Sequence, residues 1–288
     1  LTLQTREIVL QTIPSVGSML LKAASSRKKP PREPVFRPLV IAVQGVRVDQ
    51  DKLHKFCRVC GFSARETLPM TYPHVVAFAL QLQALLEPEF PFSPLGAVHV
   101  RNRIRQQRSI HQREVLDFSV HLGNAQQVAK GYEVEIVTEV RVGSELVWDE
   151  LSVMLVRKGG SGSAKLPANR QATDYAESTT WNLPADLGRR YAAVSGDYNP
   201  IHLYPLSARL MGFKRQIIHG MWGVSRAIAQ LISPDNTGPA SVDVSFKLPI
   251  FLPATVTFLS HTDATGSRFA VRDSRAEKPH MVGELTLG

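Results

Sequence analysis

Ser195-Gly196-Asp197-Tyr198-Asn199-Pro200-Ile201-His202 sets a carboxylate and an imidazole on either side of a turn signal. Asn is a strong helix N-cap and Pro is favoured at the first helical position. The spacing predicts that Asn199 caps a helix, that Pro200 opens it and that His202 sits in its first turn. A helix start is a rigid mount for a side chain. Its positive end disfavours an imidazolium and leaves a neutral ring able to exchange protons. Asp197 and His202 therefore read as an acid/base pair rather than as scattered polar residues.

Such a pair needs a framework, and the framework is written twice. On the C-terminal side, Ile218-His219-Gly220 opens an apolar run from Met221 to Ile232. Met221, Val224, Ile228 and Leu231 recur at steps of three and four, a helical stripe facing a core. Val242-Asp-Val-Ser-Phe-Lys-Leu248 follows. On the N-terminal side, Tyr72-Pro-His74 opens Val75 to Leu86, and Val98-His-Val-Arg-Asn-Arg-Ile104 follows. Val134, Ile136, Val140 and Val142 sit at even spacings, as in a half-buried antiparallel strand. Arg141 to Glu145 predicts a hairpin turn into Leu146 to Val156.

These repeats predict two α+β halves. Residues 1–38 read as an irregular basic lead-in with a short helical segment, and 39–158 as the first half. Residues 159–180 read as a linker on their Gly/Ser-rich, polar composition, and 181–288 as the second half. The first half has no Asp-x-Asn-Pro-x-His. Its nearest counterpart region, Cys60 to Met70, carries no such pair, so one active site per chain is expected, in the second half.

Tyr191, Ser195-Gly196-Asp197, Asn199-Pro200-Ile201-His202 and Ala208 resemble the hydratase-2 motif of MaoC-like (R)-specific enoyl-CoA hydratases. Gly212-Phe213, Ile218-His219-Gly220-Met221 and Ser245-Phe246-Lys247-Leu248-Pro249-Ile250-Phe251 follow in the family's order. The resemblance covers about the last hundred residues closely. It implies a double hot-dog fold, in which each half is a long central helix wrapped by a curved antiparallel sheet. It also implies that the degenerate half makes room for bulky acyl chains.

The implied reaction is reversible hydration of a trans-2-enoyl thioester to an (R)-3-hydroxyacyl thioester, in fatty-acid or polyhydroxyalkanoate-type metabolism. Asp197 and His202 would grip one water, with Asp197 favoured as base and His202 as proton donor; two coupled groups can also share protons. The Gly220 N–H would hold the thioester oxygen as it gains enolate character. Asn199 would cap the helix and aim Asp197. Ser195, Gly196, His219 and Met221 would support the site, with His219 fixing the loop before the central helix. Tyr191 reads as a core aromatic or as a partner of the pair. Family members carry a serine on the central helix near the active site, where this chain has Ile228, with Ser225 one turn earlier. This points to a more apolar pocket floor.

Composition sets the remaining bounds. A chain of 288 residues can bury a substantial core. No apolar run approaches the roughly 20 residues that span a bilayer. Ile13 to Leu21 is short and lacks a following cleavage signal, so neither secretory peptide nor stable membrane insertion is expected. The two cysteines, Cys57 and Cys60, have C-x-x-C spacing but no second ligand pair for zinc and no thioredoxin-like context. They read as reduced helix residues, which fits a cytoplasmic protein. The net charge of +9 owes much to Lys22, Arg27, Lys28, Lys29, Arg32 and Arg37, set against Glu7 and Glu33. No nucleic-acid motif accompanies it. Positive surface suits the phosphates of coenzyme A or an acidic acyl carrier protein. Lys214, Arg215 and Lys247 are candidates for that contact or part of a solvated face.

The chemistry calls for no metal or redox cofactor. Two such chains are expected to be able to form a homodimer. The competing readings are a 3-hydroxyacyl-carrier-protein dehydratase, a thioesterase on a similar fold, and a non-catalytic acyl-thioester-binding subunit. His74, His99, His111 and His121 have no acid at suggestive spacing and read as structural or exposed.

Overall fold

The computed structural model describes residues 4–17, 19–20, 34–94, 97–157, 175–233 and 236–288. Most charged residues of the basic lead-in (Lys22, Arg27, Lys28, Lys29, Arg32, Glu33) and linker residues 159–174 lie outside them. The first half contains β1 (Arg6–Leu10), β2 (Leu39–Arg47), α1 (Gln50–Cys60), α2 (Tyr72–Leu86), β3 (Val98–Gln106), β4 (Val115–Val128), β5 (Gly131–Val142) and β6 (Glu145–Arg157). The second contains β7 (Glu177–Leu183), α3 (Leu187–Ser195), a 3₁₀ turn (Pro200–His202), α4 (Pro205–Leu210), α5 (Gly220–Leu231), β8 (Ala240–Phe246), β9 (Ala254–Asp263), β10 (Gly266–Asp273) and β11 (Pro279–Leu287).

The eleven strands of the described residues form one sheet in the order β1-β2-β4-β5-β6-β3-β8-β11-β10-β9-β7. Leaving β1 aside, each half contributes five strands in the same order about the central β3–β8 pair. That pair is antiparallel, with Arg101 opposite Ser245 and Ile104 opposite Val242. The arrangement is a pseudo-two-fold: α2 and α5 each lie between the first two of their half's five strands in sequence, and each packs in the core.

Two segments differ from the sequence reading. The lead-in contains a strand, since β1 pairs in parallel with β2 from Arg6–Leu39 to Leu10–Val43. The last four residues assigned to the linker, Glu177 to Thr180, begin β7, which pairs with β9. Both are edge strands; β1 is exposed along most of its length, and in β7 only Trp181 and Leu183 are buried. The hairpin after Val142 forms around Gly143, whose φ of 58° suits a residue without a Cβ.

Helix α2 is apolar nearly all round and buried along most of its length, as expected of a core helix. On α5, Met221, Val224 and Ile228 are buried, as the stripe predicts. The two helices are tied together: Ser225 Oγ donates to Thr71 Oγ1 at 2.9 Å, just before α2. Trp222 Nε1 crosses to the Val59 carbonyl of α1 at 3.1 Å.

Helices α1 and α3 end alike, on Gly61 (φ 83°) and Gly196 (φ 82°), each closing the last turn in the left-handed region. The halves then diverge. Asp197 follows Gly196, while Phe62 follows Gly61 and stacks on Phe56. Cys57 and Cys60 are free thiols on α1, and burial pushes both above the ordinary thiol range. No helix among the described residues is long and apolar enough to cross a membrane.

Candidate active site

The Asp197 loop is fixed by its own short-range chemistry. The Asp197 N–H donates to Ser195 Oγ at 3.1 Å, and the Asn199 N–H donates to Asp197 Oδ1 at 3.1 Å. Asn199 Oδ1 accepts from the Ile201 N–H at 3.4 Å, the cap its type predicts. The capped element is a single 3₁₀ turn rather than an α-helix. His202 ends it, and the His202 Nδ1–H donates to the Ile217 carbonyl at 2.9 Å. Gly188 of α3 presses on this turn so closely that a Cβ there would lie 2.1 Å from the His202 carbonyl oxygen.

Nδ1 of His202 faces a carbonyl and must carry hydrogen, so in the neutral ring Nε2 keeps the lone pair. That Nε2 lies 3.9 Å from Asp197 Oδ2. The distance is too long for a direct hydrogen bond and leaves room for one oxygen atom that bonds to both. His219, the N-cap of α5, stacks on His202 with ring centroids 3.6 Å apart. Its Nε2–H donates to the Asp197 backbone carbonyl at 2.9 Å. It therefore secures the aspartate loop, rather than only the loop leading into its own helix. Tyr191 is buried and its ring lies 4.9 Å from that of His219, so it is both a core residue and a neighbour of the pair.

Electrostatics favour two neutral rings. Burial lowers the pKa of His202 below the ordinary 6.5. Burial, and then the adjacent His202, take His219 down to about 3. For His202 the cause is desolvation; the positive helix end expected from the sequence has little length behind it in a three-residue turn. Asp197, His202 and His219 also offer ligand atoms within 4.8 Å of one another. However, His219 Nε2 faces a carbonyl and has no lone pair for a metal in this arrangement. The three side chains as placed suit proton transfer better than metal binding.

The pair opens on a cavity of about 400 Å³ that spans both halves. Gly220 and Met221 line it from α5. The Gly220 N–H is at the helix start, where no intrahelical acceptor exists. Phe246 explains the glycine: a Cβ at this position would sit 2.7 Å from its ring. Phe78, Leu82 and Leu85 of α2, with Ile136 and Met154, supply an apolar reach from the first half. Ile228 is buried and not among the lining residues, so its side chain does not form the pocket floor. Lys214 and Lys247 line the cavity; Arg215 instead donates to the Pro253 carbonyl. Lys130, not singled out in the sequence, lines it too. So do His74 and His99, which the sequence reading set aside as structural or exposed.

Fold and site together define a hot-dog protein in which an Asp–His pair opens on a cavity of about 400 Å³ between the two halves. Residues 166–283 match the MaoC-like domain family. Over 272 residues the chain is 28% identical to 3-hydroxyacyl-thioester dehydratase X of Mycobacterium tuberculosis, covering 93% of this chain and 96% of that one. A crystal structure of HtdX from the same organism superposes with a TM-score of 0.76 at 26% identity, covering 86% of this chain and 100% of that one. The (R)-specific enoyl-CoA hydratase of Aeromonas caviae is 38% identical over 71 residues, 23% of this chain and 52% of its own. The second half carries a MaoC-like domain, the chain as a whole has the double hot-dog fold of MaoC-like dehydratases, and it is a hydro-lyase.

Proposed function

We propose that the chain catalyses reversible syn hydration of a trans-2-enoyl-CoA to the (R)-3-hydroxyacyl-CoA, with Asp197 and His202 as the acid/base pair and Gly220 as oxyanion donor. The observation that carries this is the 3.9 Å separation of Asp197 Oδ2 and His202 Nε2 on the lining of a cavity that Gly220 also lines from the start of α5. In hydration, the Asp197 carboxylate takes a proton from water as its oxygen bonds to C3. The imidazolium form of His202 gives a proton to C2, and the proton taken up by Asp197 then returns to His202. The burial that disfavours the imidazolium also makes it a stronger acid, and so a better donor to the developing enolate. In dehydration the neutral ring starts the reaction by taking the C2 proton. Throughout, the Gly220 N–H holds the thioester oxygen without reorganising.

Both proton transfers come from the same wall, which is why addition is syn. Lys214, Lys247 and Lys130 place positive charge on the cavity lining, where it suits the phosphates of coenzyme A. The test is turnover of crotonyl-CoA followed by absorbance loss. Asp197→Asn and His202→Ala should each lower kcat by about 10² to 10⁴ while the folded protein still binds acyl thioester. Near-normal rates in both variants would refute the assignment.

A further inference from the structure

Part of the cavity lining contributed by the first half is polar where a plain acyl chain would need it apolar. His74 and Gln81 of α2, His99 of β3 and Ser152 of β6 all line the cavity. Behind them the fully buried Glu150 of β6 accepts from His74 Nδ1 at 2.8 Å, Gln81 Nε2 at 2.9 Å and Asn102 Nδ2 at 2.6 Å. Gln81 Nε2 also reaches Thr138 Oγ1 at 3.0 Å, and Asn102 Nδ2 reaches Ser152 Oγ at 3.1 Å. A carboxylate sealed inside a sheet is costly, and an apolar substitute would usually be as stable. The hydrogen bonds of His202 and His219 run within the second half, while those of His74 and Glu150 run within the first. The acid/base centre therefore does not account for this cluster.

The cluster is also incomplete. His99 Nε2 is buried without a partner, and so is Asn102 Oδ1. The His99 ring lies 6.4 Å from that of His74 and 5.0 Å from that of Phe246, the residue packed on Gly220. Burial opposes charge on His74, but Glu150 outweighs it, and the ring titrates above the ordinary range. Burial and the neighbouring His74 take His99 down to about 4. The wall thus presents an imidazole anchored from behind by a carboxylate that favours its charged form, next to a neutral imidazole with an unused nitrogen. Phe78, Leu82 and Ile136 make the lining around it apolar.

We infer that this patch recognises an oxygen substituent, hydroxyl or ketone, on the acyl chain, so that the enzyme prefers an oxygenated acyl thioester to a plain one. The inference rests on the proposed reading that the cavity takes an acyl thioester. An all-carbon chain laid across the patch leaves His99 Nε2 without a partner, and sites built to hydrogen-bond a group discriminate strongly against analogues lacking it.

The experiment is calorimetric binding of saturated acyl-CoA esters of one length: the plain chain and a series with a single hydroxyl or ketone at successive carbons beyond C3. These esters are not hydrated, so binding is read apart from turnover. One or two adjacent positions should bind at least about tenfold tighter than the plain chain. The double variant His74→Leu/Glu150→Leu, which removes the charge pair as a unit, should lose that ratio. His99→Phe, which removes the unpartnered nitrogen, should reduce it. A ratio between two ligands is insensitive to a general loss of affinity. Equal binding across the series would overturn the inference, as would a preference unchanged in both variants. Hydration of plain enoyl-CoA without any oxygen preference would sink this site and leave the hydratase reading standing. A preference without hydration of any enoyl-CoA would do the reverse.

Discussion

Replacing His219 with phenylalanine keeps most of the ring volume but removes one hydrogen bond and one titratable group. The ring is 3% exposed and its Nε2–H is bonded to the Asp197 carbonyl, so the variant leaves that oxygen unpaired. The cost at neutral pH is about 1–3 kcal/mol. A second effect has the opposite sign. Folded His219 ionises at about 3, against an ordinary 6.5, because of burial and of His202. As pH falls, the unfolded chain therefore binds this proton first. Stability from His219 is complete above pH 6.5 and is lost on the way down to about 3, at about 1.4 kcal/mol per pH unit. By about pH 5 the loss is about 2 kcal/mol. The titratable groups facing the ring are His202, Asp197 and Tyr191; all three remain in the variant, so the difference between the two proteins isolates His219. Urea unfolding followed by tryptophan fluorescence at about pH 7.5 and about pH 5 should show His219→Phe to be the weaker protein at the higher pH. Between the two, the parent should lose about 2 kcal/mol more than the variant. Parallel losses would refute a buried neutral ring at this position.

Other perturbations follow from close contacts. Gly188→Ala drives a methyl into the His202 carbonyl, so it should destabilise by about 1–3 kcal/mol in thermal unfolding and impair turnover by shifting the turn that carries His202. Gly220→Ala forces the Phe246 ring to move at the start of α5. A displacement there of about 1 Å should lower kcat about 10²-fold, and unchanged kinetics would remove Gly220 from the site. Charge reversal at Lys214 and Lys247 together should raise KM for enoyl-CoA several-fold at low salt with a smaller effect on kcat. The gap should shrink as salt is added, and salt-independent KM values would argue against phosphate contact.

The Asn199 cap was legible because it depends on residues within a few positions, so its residue type announces it. The helix stripe of Met221, Val224 and Ile228 was legible for the same reason. Edge strands were not: Glu177 to Thr180 are all exposed, so no alternation of apolar residues marks them. The His74–Glu150 pair spans 76 positions and is made by a helix and a strand that meet only in the folded sheet. The cause of the neutral His202 was misread because the sequence shows a cap but not how short the capped turn is or how deeply it is buried.

The central claim is tested most directly by hydrating trans-2-decenoyl-CoA in deuterium oxide, with product stereochemistry resolved at C2 and C3. The account predicts an (R)-3-hydroxyacyl-CoA with deuterium and hydroxyl added to the same face, and no such product from Asp197→Asn. An (S) product, anti addition, or the same product at full rate from Asp197→Asn would contradict it.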